Sequence, residues 1–389
     1  MARRLDSPLA AAVVSFVLVA LFVAARLVVN PGGPSVFVVA GDRLVDASAA
    51  PADLAVVEND SLGYDGQSVY RLALDPLTHR PSAHGITLDN PPYRQQRIGL
   101  PLVAWAVTKT TQLPLSVALI AINALALVAA AAVAAVYLRR YGRHALLGVV
   151  VALSPALVIS FSRDLTEPLA WLCLLAGLYW WRDRRLMLGA VAFALAALTR
   201  ETSLVVVAGV GADELFRRDA VASARARALA WLAVPLAAFA TWQAWLYGVW
   251  HALPVRSNDG NVGAPFVDVV HSAFLGATRW GDWSHNAVIV HLALVERLAL
   301  AAFFGYVVMS LARTRGEPGV RIAWVLAALL TLSIRGWLRD EQFVRAANEA
   351  ICLGLLIVFA RPLADRSVRW VAGTAAAFSL VVAVKFALL

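Results

Sequence analysis

Lysine is nearly absent from this chain: only Lys109 and Lys385 accompany the arginines that supply the rest of its 34 basic residues. Cysteine is as scarce, and because Cys173 and Cys352 both sit inside apolar runs, a disulfide framework is excluded. Charge of either sign is thin, at 15% of residues against 60% hydrophobic, and this excludes an ordinary soluble domain. There is no P-loop, no G-x-G-x-x-G and no G-x-S-x-G, so ATP-driven transport and serine hydrolase chemistry lose support. No internal repeat, Gly-Ser linker, coiled-coil heptad or low-complexity tail stands out.

What is present is a succession of apolar runs. They predict helical spans at 9–29, 113–137, 145–161, 165–181, 186–199, 202–216, 228–247, 291–311, 322–338, 346–360 and 370–389. The expected fold is an all-α integral membrane protein, a single polytopic domain over 1–389 with about 11 transmembrane helices. A short or half-embedded helix is expected over 98–108, and a tight hairpin between two spans at Arg200-Glu201. The first apolar run exceeds the roughly 7–15 residues of a cleaved signal's core, so it reads as an anchor.

The net charge of +9 does not read as a nucleic-acid surface, because the arginines fall in short clusters between apolar runs. Placing Arg3 and Arg4 in the cytoplasm and alternating the spans puts every dense cluster on that side. These are Arg139, Arg140 and Arg143; Arg182, Arg184 and Arg185; Arg217, Arg218, Arg225 and Arg227; Arg313, Arg315 and Arg321; and Arg361, Arg366 and Arg369. Tryptophans agree, with Trp180, Trp181 and Trp370 at inner edges and Trp242, Trp245, Trp250 and Trp337 at outer ones. The N-terminus is therefore expected in the cytoplasm.

Two segments on the outer side are long enough to fold: the first extracytoplasmic loop, 31–97, and a second, 248–290, carrying Trp280 and Trp283. Within the first, Ser35 to Ala40 and Arg43 to Val45 flank Gly41-Asp42 like a short hairpin. Gln67 to Asp75 reads as an amphipathic helix closed by Pro76, lying on the membrane.

On this topology the polar clusters converge outside: Asp60 and Asp65, Arg94 and Arg97, Arg163-Asp164 with Glu167, Arg200-Glu201, and Arg339-Asp340-Glu341 with Arg345. Charges near membrane depth are costly, so separated charged sites on one side point to a shared wet cavity. The plainer alternative is that outer turns need polar residues. Asp65, followed by Gly66 and flanked by Tyr64, Gln67 and Tyr70, is placed to accept a proton from an attacking hydroxyl, with the tyrosines packing against a sugar or lipid head. Asp60 is the rival base, or a partner that raises the pKa of Asp65. Arg94 and Arg97, three apart, would share a helix face and grip a phosphate, and snorkelling to lipid headgroups explains them equally well. Arg200 ranks first for phosphate binding and Arg345 second, with Arg163, Glu167 and Glu201 beside them; the alternative makes Asp164 or Thr166 a helix cap. Scattered histidines show no metal-ligand spacing, so no cofactor is assigned and a divalent metal requirement stays open.

The residues Gly63-Tyr64-Asp65-Gly66-Gln67, Tyr70-Arg71-Leu72-Ala73, Asp75-Pro76, Asp89-Asn90-Pro91, Tyr93-Arg94 and Arg97-Ile98 resemble bacterial polytopic glycosyltransferases of the GT-C class. Looser similarity covers Ser162-Arg163-Asp164-Leu165-Thr166-Glu167-Pro168 and Leu198-Thr199-Arg200-Glu201. The resemblance implies a bundle of transmembrane helices whose first outer loop carries the catalytic acid and whose donor is a polyprenyl-phosphate sugar. It implies inversion at the anomeric centre, with Asp65 as base and Arg94, Arg97 or Arg200 holding the departing lipid phosphate. Many such enzymes carry an Asp-Glu or Asp-x-Asp pair just after the first span, and here Asp65 lies well beyond it, which leaves Asp60 and Asp65 in competition. The partners implied are the lipid-linked donor, a glycan or glycolipid acceptor of the cell envelope and the bilayer of a bacterial plasma membrane, with no nucleic acid. A lipid or glycan transporter or flippase, or a non-catalytic envelope assembly protein, are the competing readings; sugar, linkage and oligomeric state are not specified.

Overall fold

Ser7 opens the first helix: its hydroxyl accepts a hydrogen bond from Ala10 N at 3.1 Å, and Pro8 supplies the fixed φ suited to a first helical position. The computed structural model describes residues 6–217, 221–254, 262–278, 285–338, 342–362 and 364–388. Trp280 and Trp283 of the second loop, and Arg339, Asp340 and Glu341, lie outside the described residues.

The helices are α1 (Pro8–Val29), α2 (Asp65–Leu74), α3 (Pro91–Gln95), α4 (Gly99–Thr111), α5 (Leu115–Arg139), α6 (Leu147–Ala152), α7 (Pro155–Phe161), α8 (Glu167–Arg182) and α9 (Leu186–Thr199). They continue as α10 (Leu204–Phe216), α11 (Ala222–Trp250), α12 (Val267–Thr278), α13 (His285–Leu311), α14 (Pro318–Ser333), α15 (Gln342–Ala346), α16 (Asn348–Phe359) and α17 (Asp365–Leu388). The chain is thus mostly helical, as a membrane protein of this composition should be.

By length and composition, five of the described helices can cross a membrane: Pro8–Val29, Leu115–Arg139, Ala222–Trp250, the Leu294–Leu311 part of α13, and Arg366–Ala387. Leu186–Thr199, Pro318–Ser333 and Asn348–Phe359 are apolar but shorter. One predicted span and one predicted turn depart from expectation. The run 145–161 is split into α6 and α7 at Leu153-Ser154, because Pro155 lacks an N–H and forces Ser154 out of the helical region, to ψ 154°. At Arg200-Glu201 the chain turns back as expected, bringing Arg184 and Glu214 together at 2.6 Å, but the two helices splay apart: α9 packs on α8 and α11 whereas α10 packs chiefly on α14. Close approach of α10 and α14 depends on Gly209, where a Cβ would meet the backbone of Ala323 at 2.5 Å.

The predicted inner turns bind one another at one end of the bundle. Arg140 pairs with Asp183 at 2.5 Å, Arg182 with Glu317 at 2.9 Å and Arg184 with Glu214 at 2.6 Å. Tyr141 donates to Glu317 at 2.9 Å, and Arg143 donates to the carbonyl of Phe359 at 2.9 Å. The segment 31–97 sits at the opposite end, over its own small core of Val38, Ala40, Tyr70, Ile86, Leu100 and Leu119. A separate, larger apolar core runs through the helices below.

Inside that segment two expectations are corrected. Gly33–Phe37 is a 3-10 turn, and the pair β1 (Ala40–Gly41) and β2 (Val56–Glu58) is parallel, so Gly41-Asp42 is not a hairpin turn. The antiparallel pair is instead β3 (Ser82–Ala83) with β4 (Ile86–Thr87). The helix expected from Gln67 begins at Asp65, and its residues Gly66 to Ala73 are all buried, so it is wedged between loop and bundle rather than laid on a membrane surface.

Candidate functional site

Asp65 is the first residue of α2, held there by its neighbours' backbone. Gly63 takes φ +65°, Tyr64 is extended, and Tyr64 N donates to Val39 O at 2.9 Å. Gly66 must be glycine because a Cβ would lie 2.4 Å from Arg163 O and 2.6 Å from Val38 O. The turn joining α7 to α8 therefore rests directly against the start of α2.

Each carboxylate oxygen of Asp65 holds a different arginine: Arg94 Nη1 donates to Oδ1 at 2.6 Å, and Arg345 Nη2 donates to Oδ2 at 2.7 Å. Arg94 also clamps Asp89 through Nε and Nη2, both at 2.8 Å. Arg345 reaches on to Glu167 with Nε at 3.1 Å, and Glu167 is ion-paired with Arg200. Arg200 in turn donates from Nε to Glu349 at 2.9 Å and to Thr202 at 2.8 Å. Beside this chain Arg97 forms a two-bond fork with Glu201, at 2.8 and 2.5 Å, and donates to Tyr93 OH at 2.9 Å. Tyr64 lies under Arg163 at 4.0 Å and near Arg345 at 5.4 Å.

Asp65, Ser68, Arg94, Arg97, Glu167 and Arg345 line one cavity of about 20 Å³. Burial pushes the Asp65 carboxyl up, but Arg345, Arg94 and Arg97 together outweigh it and hold the group well below the ordinary carboxylate range. Asp89 is held below that range by its hydrogen bonds from Arg94. Ion pairs so shielded from water are costly to assemble and are tolerated here because each partner is satisfied.

A separate apolar groove of about 480 Å³ runs between α1, α5, α6, α7 and α17, lined by Phe22, Leu127, Val149, Phe161, Leu380 and Val384 among others. Its Phe161 and Ala387 end lies by the polar cluster, since Arg163 stacks on Phe386 at 5.1 Å as well as on Tyr64.

Of the residues predicted from sequence, Asp65, Arg94, Arg97, Arg163, Arg200, Arg345, Tyr64, Glu167 and Glu201 are brought into this neighbourhood. Three are not. Asp60 sits in a left-handed turn, φ 53°, its side chain 88% exposed and paired with Arg43 at 2.5 Å. Tyr70 is fully buried and donates to Asp53 at 2.6 Å, so it cannot stack on a ligand. Gln67 is consumed in bracing the loop, accepting from Gly41 N at 3.2 Å and donating to Leu62 O at 2.5 Å. Arg94 and Arg97 diverge to Asp65 and Glu201 rather than acting as one grip, because α3 ends at Gln95, between them. Asp164 is fully buried but does not line the cavity, and Thr166 stands at the N-cap of α8 without a side-chain capping bond.

Sequence reasoning gave no site role to Glu349, Thr202, Asp89 or Tyr93, which join the cluster. Glu349 carried a readable signal, an acid inside the apolar run 346–360, where an intramembrane carboxylate marks a site by default. No group of three His, Cys, Asp or Glu with metal-binding disposition occurs among the described residues. Comparison with protein-family models, with curated proteins and with solved structures gives no match for this chain.

Proposed function

We propose that the chain is a membrane glycosyltransferase that moves a sugar from a polyprenyl-phosphate donor to a cell-envelope glycan or glycolipid. The observation that carries this reading is the Asp65 carboxylate set between Arg94 and Arg345, at the junction of loop and bundle. In the proposed step the acceptor O–H gives its proton to Asp65 and its oxygen attacks the anomeric carbon from the face opposite the lipid. The bond from that carbon to the phosphate oxygen breaks, its electrons leave on the lipid phosphate, and the sugar is inverted. Arginine donors aimed at the departing phosphate stabilise the charge it gains, each worth about 3–4 kcal/mol in sites of this type.

The apolar groove that ends beside Arg163 supports a lipid-borne donor, since its wall is long and almost free of polar groups. We further propose eleven membrane spans, with a short or half-embedded helix over 98–108, in a bacterial plasma membrane, with the N-terminus cytoplasmic and the cavity extracytoplasmic. The test is to incubate purified protein with a panel of polyprenyl-phosphate sugars and score release of free lipid phosphate. Release that is lost in Asp65→Asn, at unchanged protein level, supports the assignment; no release from any donor removes it.

One observation favours a second reading. The break at Leu153-Ser154, between α6 and α7, resembles the discontinuous helices on which transporters build their sites. A lipid or glycan flippase would move a labelled lipid-linked sugar across proteoliposomes and leave its glycosyl bond intact.

A further inference from the structure

Four arginines of the cluster, Arg94, Arg97, Arg200 and Arg345, pair with five carboxylates, Asp65, Asp89, Glu167, Glu201 and Glu349, and a fifth, Arg163, stacks on Tyr64 beside them, so the charges balance. The site is neutral as it stands, and its cavity of about 20 Å³ has room for about one water. A phosphoanion cannot enter without displacing something, and adding its charge to a balanced, shielded cluster is unfavourable unless a carboxylate gives up its arginines.

The four other acids are poorly suited to leave. Glu167 and Glu349 are 1% and 5% exposed, and both are tied to Arg200. Asp89 and Glu201 are each gripped by both ends of a guanidinium fork. Asp65 differs: it makes one bond to each of two arginines that arrive from separate elements, and its side chain is 24% exposed. Its main chain is fixed against Arg163 and Val38 through Gly66, so exchange falls to the long arginine side chains.

We propose that Asp65 occupies the anion site of its own cavity, and that an incoming phosphate group displaces it from Arg94 and Arg345. This rests on the donor reading above and adds its regulation. The base stays neutralised by its arginines until a lipid phosphate takes them, so the carboxylate becomes available to an acceptor hydroxyl only when the leaving group is already held. A site without donor then has no active base to expend on water.

The test compares wild type and Asp65→Asn for binding of farnesyl phosphate and, separately, inorganic phosphate, by titration calorimetry in nanodiscs. Competition by the carboxylate predicts that Asp65→Asn binds farnesyl phosphate more tightly than wild type, by about tenfold, although it transfers no sugar. A gain confined to farnesyl phosphate assigns the site to the lipid; the same gain with inorganic phosphate assigns it to the phosphate group alone. In wild type, which avoids any folding defect of the variant, carbodiimide labelling of Asp65 read by peptide mass spectrometry should rise several-fold with farnesyl phosphate. Exposed Asp60 is the internal reference and should not change. Equal or weaker binding by Asp65→Asn, or labelling that stays flat while ligand binds, overturns the exchange and leaves the donor reading in place. Binding to neither protein overturns both.

Discussion

Arg345 Nη2 lies 2.7 Å from Asp65 Oδ2, joining residues 280 positions apart in the chain. The same guanidinium turns its Nε to Glu167, so a single side chain ties loop acid to helix acid. Replacing it by glutamine removes a cation from the place where leaving-group charge would collect. Arg345→Gln is expected to lower lipid-phosphate release by about 10²–10³-fold, the effect of losing one preorganised donor. Arg345→Lys should recover only part, because an ammonium cannot span both carboxylates as a fork does. Full activity in the glutamine variant would remove Arg345 from the mechanism.

Arg97 and Glu201 form a direct pair, with two bonds and side chains 15% and 21% exposed. Either Arg97→Gln or Glu201→Gln alone strands a partly buried charge, whereas the double variant strands neither. A double-mutant cycle read by unfolding in mixed micelles should show a favourable coupling of about 0.5–3 kcal/mol. A coupling near zero would mean that Tyr93 and neighbouring charges, not this pair, hold the loop to the turn before α10.

The convergence of Asp65, Arg94, Arg200 and Arg345 was readable from sequence because charged residues at helix ends, on one side of an alternating topology, have few low-cost places to go. Helix positions were readable for the same reason: an apolar run long enough for a membrane has to satisfy its backbone internally. Pairing was not readable. Nothing in the spacing of Arg94 and Arg97 says that they turn to different acids, since that depends on α3 stopping at Gln95. Tyr70 and Gln67 look like ligand contacts when the segment is taken for a surface helix. They become framework once that helix is buried on nearly every side. The parallel pairing of β1 with β2 joins residues from either side of a long excursion, and no local turn signal announces it.

Gly66→Ala places a methyl group against two backbone carbonyls, of Arg163 and Val38, neither of which can rotate away as a side chain would. Overpacking of this kind costs about 1–3 kcal/mol, and the shift needed to relieve it moves Asp65, the adjoining residue. Lower thermal stability together with lost lipid-phosphate release is expected. A variant as stable and active as wild type would show that the contact with the α7–α8 turn is dispensable.

Asp60→Asn separates the two acids that compete for the role of base. The Asp60 side chain pairs with an exposed Arg43, at a site open to solvent, where such a pair contributes about 0–1 kcal/mol. Stability and lipid-phosphate release should both stay near wild type, while Asp65→Asn abolishes release. An inactive Asp60→Asn protein that folds normally would reverse the assignment.

Arg94 faces two carboxylates, Asp65 and Asp89, and both are held below the ordinary carboxylate range, with Arg345 and Arg97 also acting on Asp65. A group whose folded value is depressed adds stability in full above its unfolded value, about 3.9 for aspartate. That contribution drains as pH falls from there toward the folded value. Arg94→Gln lets both folded values rise toward the unfolded one, so less stability is linked to ionisation in the variant. The gap in unfolding midpoint between wild type and Arg94→Gln should therefore be widest at neutral pH and above about pH 5, then narrow steadily in more acidic buffer. Midpoints recorded across that range for both proteins check the sign: a gap that widens in acid would mean that Arg94 stabilises the fold through something other than charged Asp65 and Asp89.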